Sequence, residues 1–400
     1  MPACYNCGAD AVTLLLDAGL QPIGNRFLRT HDEKEEQFPV LIEQCGRCGL
    51  VQSTKPVPAA ALVPVFDWIT YSEPEPHLDG MVERLMTRPG IKPGAVAGGI
   101  SFKDDSTLDR LARNGLRTWR LDMAADLGIA RPGLGVETIQ EALTPARADA
   151  AAAKYGKADV LLVRHILEHA HDLGRFLESL RRLLAPGGYA VIEVPDCSRA
   201  LDVGDYTTIW EEHTFYYTPE TFERCMLLNG FDVAGFENHP YPFENSLVAI
   251  AQVSGTSGRE ARMPSKSVVD VELERGRRFA AELPVRRQRL RHYLEEFRRT
   301  RGRIAFFGAG HLACTFVMLF GIADLVECVI DDNPNKRGMF MPGSRLPIVG
   351  SDVLQSGEIA LCLLSLNPIG EQKVMEKNGA FAQRGVFASI FPASAHALKY

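Results

Sequence analysis

The sequence predicts an α/β chain with two doubly wound, Rossmann-like domains behind a small N-terminal module built on paired cysteines. Three observations carry that prediction. Over roughly residues 91–255, strand-like apolar runs alternate with amphipathic helical stretches, the pattern of parallel strands joined by crossover helices. The same alternation returns after residue 262, with a glycine turn between its first strand and first helix. Four of the nine cysteines form two C-x-x-C pairs near the N-terminus.

Composition sets the frame. The chain has 400 residues, 46% hydrophobic and 24% charged, which is an ordinary globular balance with room for two or three domains. A net charge of −6 argues against a broad nucleic-acid surface. The N-terminus MPACYNCGAD lacks the basic segment and apolar stretch of a signal peptide, and no apolar run is long enough to span a membrane. Cysteines scattered through apolar stretches fit a reducing cytoplasm better than a disulfide framework. The oligomeric state is not legible.

In chain order, residues 1–55 are bounded by CYNCG and CGRCG. Two residues between cysteines turn both sulfurs toward one ion, so Cys4, Cys7, Cys45 and Cys48 complete a four-thiolate shell for structural zinc with no open position. Residues 56–90 are a proline-marked connection followed by a short helix at HLDGMVERLM. Within 91–255, GAVAGGI reads as a strand and DSTLDRLARNG as a helix. LRTWRLD and ADVLLVRHI are further strands. LGRFLESLRRLL is a helix stopped by APGG, and YAVIEVPD is the next strand. Residues 262–400 begin with one or two Arg-rich helices interrupted at Pro284. RIAFFGAGHLACTFVML follows as strand, glycine turn and helix, and LVECVIDDNPNKRG and IALCLLSLNP are later strands. Asp331 lies about 20 residues beyond the glycine turn, at Rossmann spacing. That context favours a diphosphate or dinucleotide loop.

The stretch ADVLLVRHILEHAHDLGRFLESLRRLLAPGGYAVIEVPD resembles the second half of a class I S-adenosylmethionine (SAM)-dependent methyltransferase domain. A buried strand, H-x-L-E-H, a helix, P-G-G and another strand come in the right order. Together with the cysteine pairs, FDWITYSEPEPH, IWEEHTFYYTPETF and the C-terminal FFGAGHLA, the chain resembles the three-part sugar C-methyltransferases. The resemblance implies an N-terminal zinc module, a central SAM-binding domain and a C-terminal Rossmann-like domain that helps enclose the substrate, with NAD the lesser alternative. It also implies a nucleotide-linked keto-deoxysugar as substrate in deoxysugar biosynthesis, and no nucleic-acid or membrane partner.

The family's cofactor turn reads E-x-G-x-N-D-G. Here Ala97 stands in place of the first acid, and Gly98 and Gly99 are expected to supply backbone freedom. Asp104 or Asp105 replaces the later acid at shifted spacing. Asp122, after RTWRL, sits where an acid grips the ribose hydroxyls. His165 and His169 flank the strand end; His165 is expected to line the cofactor pocket, and His169 either joins it or caps a helix. For catalysis the resemblance points to His213 as the base that removes the proton next to the sugar carbonyl, with Glu212 as its neighbour and Tyr71 from the connection. The family places a tyrosine two residues before that glutamate, where this chain has Trp210; Tyr216 or Tyr217 is a possible substitute. His77 faces substrate or lies in a solvent-facing turn. Two alternatives remain: a relative with another reaction (a sugar isomerase, an O- or N-methyltransferase) and a non-catalytic nucleotide-sugar-binding protein.

Overall fold

A computed structural model describes residues 3–69, 73–129, 135–255 and 262–400. Its strands, in sequence order, are β1 (Val12–Pro22), β2 (Gln37–Cys45), β3 (Val51–Gln52), β4 (Val96–Gly99), β5 (Arg117–Arg120), β6 (Ala158–Arg164), β7 (Leu184–Asp196), β8 (Phe215–Tyr216), β9 (Phe231–His239), β10 (Asn245–Val253), β11 (Arg303–Phe307), β12 (Cys328–Ile330), β13 (Ile348–Val349), β14 (Ile359–Leu364) and β15 (Val386–Ser389). They form three sheets, in the orders β1-β2-β3-β8, β5-β4-β6-β7-β10-β9 and β13-β12-β11-β14-β15. The chain divides into two compact units. One comprises residues 1–14, 42–198 and 212–274, and the other 15–41, 199–211 and 275–400.

In the first unit, β4, β5, β6 and β7 run parallel, and β10 returns antiparallel to both β7 and β9. The sheet's apolar residues alternate between two faces. Ala97, Val160, Leu162 and Val191 pack with the helix Leu78–Met86 on one side. Leu161, Val163, Ala190 and Ile192 join the other cluster, with the helix Leu173–Leu183 and the four N-terminal cysteines. The cysteine module therefore shares a core with the central sheet. The helix after β4 starts where expected because Ser101 and Asp104 form a capping box at its leading turn. β4 and β6 are neighbours, while the chain leaves β4 first for β5 on the opposite flank. The carboxyl ends of β4 and β6 thus form the topological switch point at which doubly wound sheets bind ligands.

The second unit holds the all-parallel sheet, in which β11 lies between β12 and β14. The Arg-rich segment is one continuous helix, Lys266–Thr300, with Pro284 inside it. The expected interruption at this proline does not occur. Leu283, Leu290, Leu294 and Phe297 are buried at helical spacing on both sides of the missing N–H, so packing sustains the helix across it.

Candidate functional site

The four cysteines converge. Cys4 Sγ lies 3.7 Å from Cys48 Sγ and Cys7 Sγ 3.6 Å from Cys45 Sγ, with all four sulfurs within 4.8 Å of one another. A tetrahedral zinc tetrathiolate with bonds of about 2.3 Å has edges of about 3.8 Å, so the donor set fits zinc. Each pair is folded back by backbone bonds: Gly8 N–H to Cys4 O (2.8 Å) and Gly49 N–H to Cys45 O (2.9 Å). Gly8 and Gly49 both take positive φ, 73° and 80°, where a side chain would be strained.

This module reaches directly toward the predicted base. β3 pairs antiparallel with β8, Val51 opposite Tyr216 and Gln52 opposite Phe215. One residue further, Ser53 N–H donates to Thr214 O at 2.8 Å, while Thr214 N–H donates to Glu168 O at 2.8 Å. His213 is thereby fixed between the cysteine module and the turn after β6. That turn, Leu167–His169, brings up His169, whose ring stands edge-to-face to His213 with centroids 4.8 Å apart. A His169 nitrogen, a His213 nitrogen and a Glu168 carboxylate oxygen lie within 4.8 Å of one another. His169 Nδ1 is 3.0 Å from the Glu212 carbonyl oxygen, so Nδ1–H donates and Nε2 keeps its lone pair. Burial, reinforced by the nearby His213 and Lys103, pushes the His169 pKa well below its usual range. It is a neutral imidazole beside His213.

The turn after β4 differs from the expected one. Neither Gly98 nor Gly99 has positive φ. They are needed for close approach by the protein's own side chains. A Cβ on Gly98 would lie 2.3 Å from the Trp119 ring, and one on Gly99 2.8 Å from Leu108. Asp104 is fully buried and its oxygens are taken up by the turn and by the end of β6: Oδ2 accepts from Ile100 N (2.7 Å) and Ser101 N (2.9 Å), and Oδ1 from Arg164 N (3.0 Å). Burial pushes its pKa up to about 7 against those hydrogen bonds. Asp104 thus shapes the turn. Asp122 sits exposed just beyond β5, its Oδ1 accepting from Ala124 N (3.0 Å) and Ala125 N (2.7 Å).

His165 closes β6 with φ 49° and is the centre of a buried charge cluster. Its Nε2 lies 3.2 Å from Glu193 Oε1 and 3.7 Å from Glu73 Oε2, and its Nδ1 lies 3.5 Å from Glu168. Burial opposes a cation there, but these carboxylates outweigh it and lift the His165 pKa to about 10. Glu193 also receives Arg164 Nε at 2.6 Å and faces His77 Nε2 at 3.3 Å. His77 is buried, with Nδ1 2.6 Å from Tyr241 OH and its ring stacked on His239, so it does not lie in a solvent-facing turn. Sequence reasoning missed Glu73, Lys103, Arg164, Glu193 and Tyr241. A charged residue inside the apolar run YAVIEVPD was the available signal for Glu193.

Tyr71 lies outside the described residues. Tyr216 is buried with its ring 6.0 Å from His213, whereas the Tyr217 hydroxyl is spent on Cys225 Sγ at 3.6 Å. In the second unit, Trp210 stacks on His311 with centroids 4.1 Å apart and planes 14° from parallel. His311 opens the helix after the GAGH turn. Asp331 Oδ2 accepts from Ala309 N at 3.0 Å and from Lys336 Nζ at 2.9 Å, so this acid braces the glycine turn itself.

Three family models match the protein in order. The model described as "Putative zinc binding domain" covers residues 4–62, "Methyltransferase domain" residues 92–234, and "C-methyltransferase C-terminal domain" residues 260–392. The C-methyltransferase NovU of Streptomyces niveus is 23% identical over 357 residues, covering 86% of this sequence and 84% of that protein. Two solved methyltransferases align with about half of the protein. The 1,6-didemethyltoxoflavin-N1-methyltransferase of Burkholderia thailandensis covers 45% of this sequence and 77% of its own (14% identity, TM-score 0.30). The magnesium protoporphyrin IX methyltransferase of Synechocystis PCC 6803 covers 44% and 78% (14% identity, TM-score 0.28). The protein is a SAM-dependent methyltransferase. It belongs to the three-module C-methyltransferases, with zinc-binding, methyltransferase and C-terminal domains in that order.

Proposed function

We propose that this protein methylates a carbon of a nucleotide-linked keto-deoxysugar, with His213 as the base and structural zinc on Cys4, Cys7, Cys45 and Cys48. The observation that carries this reading is the placement of His213. The residue after it, Thr214, is anchored by backbone bonds to both the cysteine module and the turn after β6, and His213 lies beside a neutral His169, near the carboxyl edge of the central sheet. SAM, when bound, supplies an electrophilic methyl group. The switch point offers it an exposed Asp122 for ribose hydroxyls and the strand end at His165, with Gly98, Gly99 and Asp104 shaping the turn between them. The indole N–H of Trp119, beside Gly98, is buried without a partner among the described residues, a further donor for the adenosine part.

In the reaction, His213 takes the proton from the carbon next to the sugar carbonyl. The C–H electron pair becomes an enolate, whose carbon bonds to the transferred methyl while the displaced pair stays on sulfur. Glu212 and the tyrosine at 71 orient substrate and base. No helix among the described residues is long and apolar enough to cross a membrane; the substrate on this reading is a small molecule met in the cytoplasm. The test has two parts. Calorimetry must show S-adenosylhomocysteine binding that survives His213→Ala. Candidate keto sugars in deuterated water must exchange the α-proton with the parent protein and not with His213→Ala. Exchange that persists in the variant would remove His213 from the base role.

A further inference from the structure

The methionine part of SAM carries an α-ammonium that needs acceptors. The turn after β4 has lost the obvious one, because Ala97 stands at the position of the first acid and is wholly buried among apolar residues. Besides the exposed Asp122, four carboxylates lie near the switch point, and two of them are fully committed. Asp104 accepts three backbone N–H groups. Glu193 serves Arg164, His165 and His77. Glu168 is buried against His165 and His169 through Oε1, while its Oε2 is enclosed without a hydrogen-bond partner among the described residues. Glu73 is different. Its Oε1 lies 2.6 Å from Lys103 Nζ, its Oε2 is 3.7 Å from His165, and its side chain keeps 21% of its surface exposed. Its close partner is one long, flexible side chain on the turn itself.

The same Lys103 ammonium lies 3.4 Å from the carbonyl oxygen of His165, at the end of β6. A primary ammonium is therefore already held between a carboxylate and a strand-end carbonyl at the switch point. These acceptors suit the ammonium of an amino acid equally well. We propose that Glu73 and the His165 carbonyl form the ammonium subsite of the cofactor pocket, that Glu73 replaces the acid absent at position 97, and that Lys103 is the subsite's intramolecular occupant, displaced when the cofactor's own ammonium arrives. This rests on the SAM reading above. His165 and Lys103 hold the Glu73 pKa down to about 2 against its burial, so the carboxylate is ionised at neutral pH.

The test measures the binding of two nucleosides to the intact protein. S-adenosylhomocysteine has the amino-acid part, and 5′-methylthioadenosine has the same adenosine and thioether without it. Glu73→Gln should weaken S-adenosylhomocysteine about tenfold or more, the scale of one charge-assisted hydrogen bond. It should leave 5′-methylthioadenosine unchanged within about twofold, which also certifies the fold. Lys103→Met should leave 5′-methylthioadenosine alone and tighten S-adenosylhomocysteine by removing a competitor. If Glu73→Gln leaves both affinities unchanged, or weakens both equally, the subsite is overturned while the SAM reading stands. Weaker S-adenosylhomocysteine binding by Lys103→Met overturns the displacement step. If neither nucleoside binds the parent protein, the SAM reading itself fails.

Discussion

Gly98→Ala separates two reasons for a glycine at the end of β4. One holds that backbone must approach the cofactor; the structure instead puts the Trp119 indole there. The added Cβ would lie 2.3, 2.6 and 2.7 Å from three indole carbons, where ordinary contact begins near 3.4 Å. The ring must retreat by about 1 Å. Behind it, Tyr155 is stacked with planes 11° apart and centroids 5.3 Å away, so the movement is resisted. Overpacking of this kind costs about 1–3 kcal/mol, and a blocked retreat puts the expectation near ~3. In a Trp119→Ala background the clash vanishes and the alanine should be neutral, or stabilising by ~0.5 kcal/mol through lost glycine entropy. Urea denaturation followed by far-UV circular dichroism across the four proteins should give a coupling of about 3–3.5 kcal/mol. If Gly98→Ala costs the same in both backgrounds, packing against Trp119 is not why position 98 is glycine.

Other consequences follow from the same geometry. Removing zinc with a strong chelator, or making Cys48→Ser, should abolish turnover before it abolishes far-UV ellipticity, because β3 holds the strand that follows His213; a fully active protein shown to be metal-free by elemental analysis refutes this. The folded pKa of His165 rises from 6.5 to about 10, so its stabilisation is complete below about pH 6.5 and lost as pH rises through 10. The parent should thus lose up to ~5 kcal/mol more than His165→Gln between those limits in pH-dependent urea melts. For Glu73, lowered from 4.5 to about 2, the loss comes instead as pH falls below 4.5. Equal pH slopes for parent and His165→Gln would show that the cluster does not hold a charged imidazole. Trp210→Phe should cost about 1 kcal/mol and Trp210→Ala about 2–3, because the ring is half of a stack on His311; unchanged melting of Trp210→Ala would contradict that role.

What the sequence revealed and what it concealed divide along a physical line. Alternating apolar runs announce a parallel sheet because both of its faces must be buried; ADVLLVRHI holds β6, and YAVIEVPD lies in β7, which begins earlier, at Leu184, and takes in the APGG read as a helix stop. Paired cysteines announce zinc because the ion's geometry fixes their spacing. Neither signal says which distant segment will pair with which. The decisive contact, β3 against β8, joins two-residue strands with no periodicity to read, yet it fixes His213. The glycine turn shows the opposite failure. Its motif suggested backbone exposed to a ligand, but glycine also serves where a neighbour's side chain needs the space, and Trp119 lies beyond the reach of any motif at 98–99. Buried charge was the least legible feature. Glu73, Lys103, Arg164, His165 and Glu193 come from four separate stretches; Glu73 and Lys103 read alone as surface residues, and only His165 is placed at a pocket by the sequence. An isolated buried charge would be expelled or neutralised, so such residues persist inside only as a mutually paired set. In this protein that set lies at the switch point, the sheet edge where doubly wound folds receive ligands. The zinc module adds a second long-range constraint of this kind: through β3 and β8 it fixes the backbone around His213.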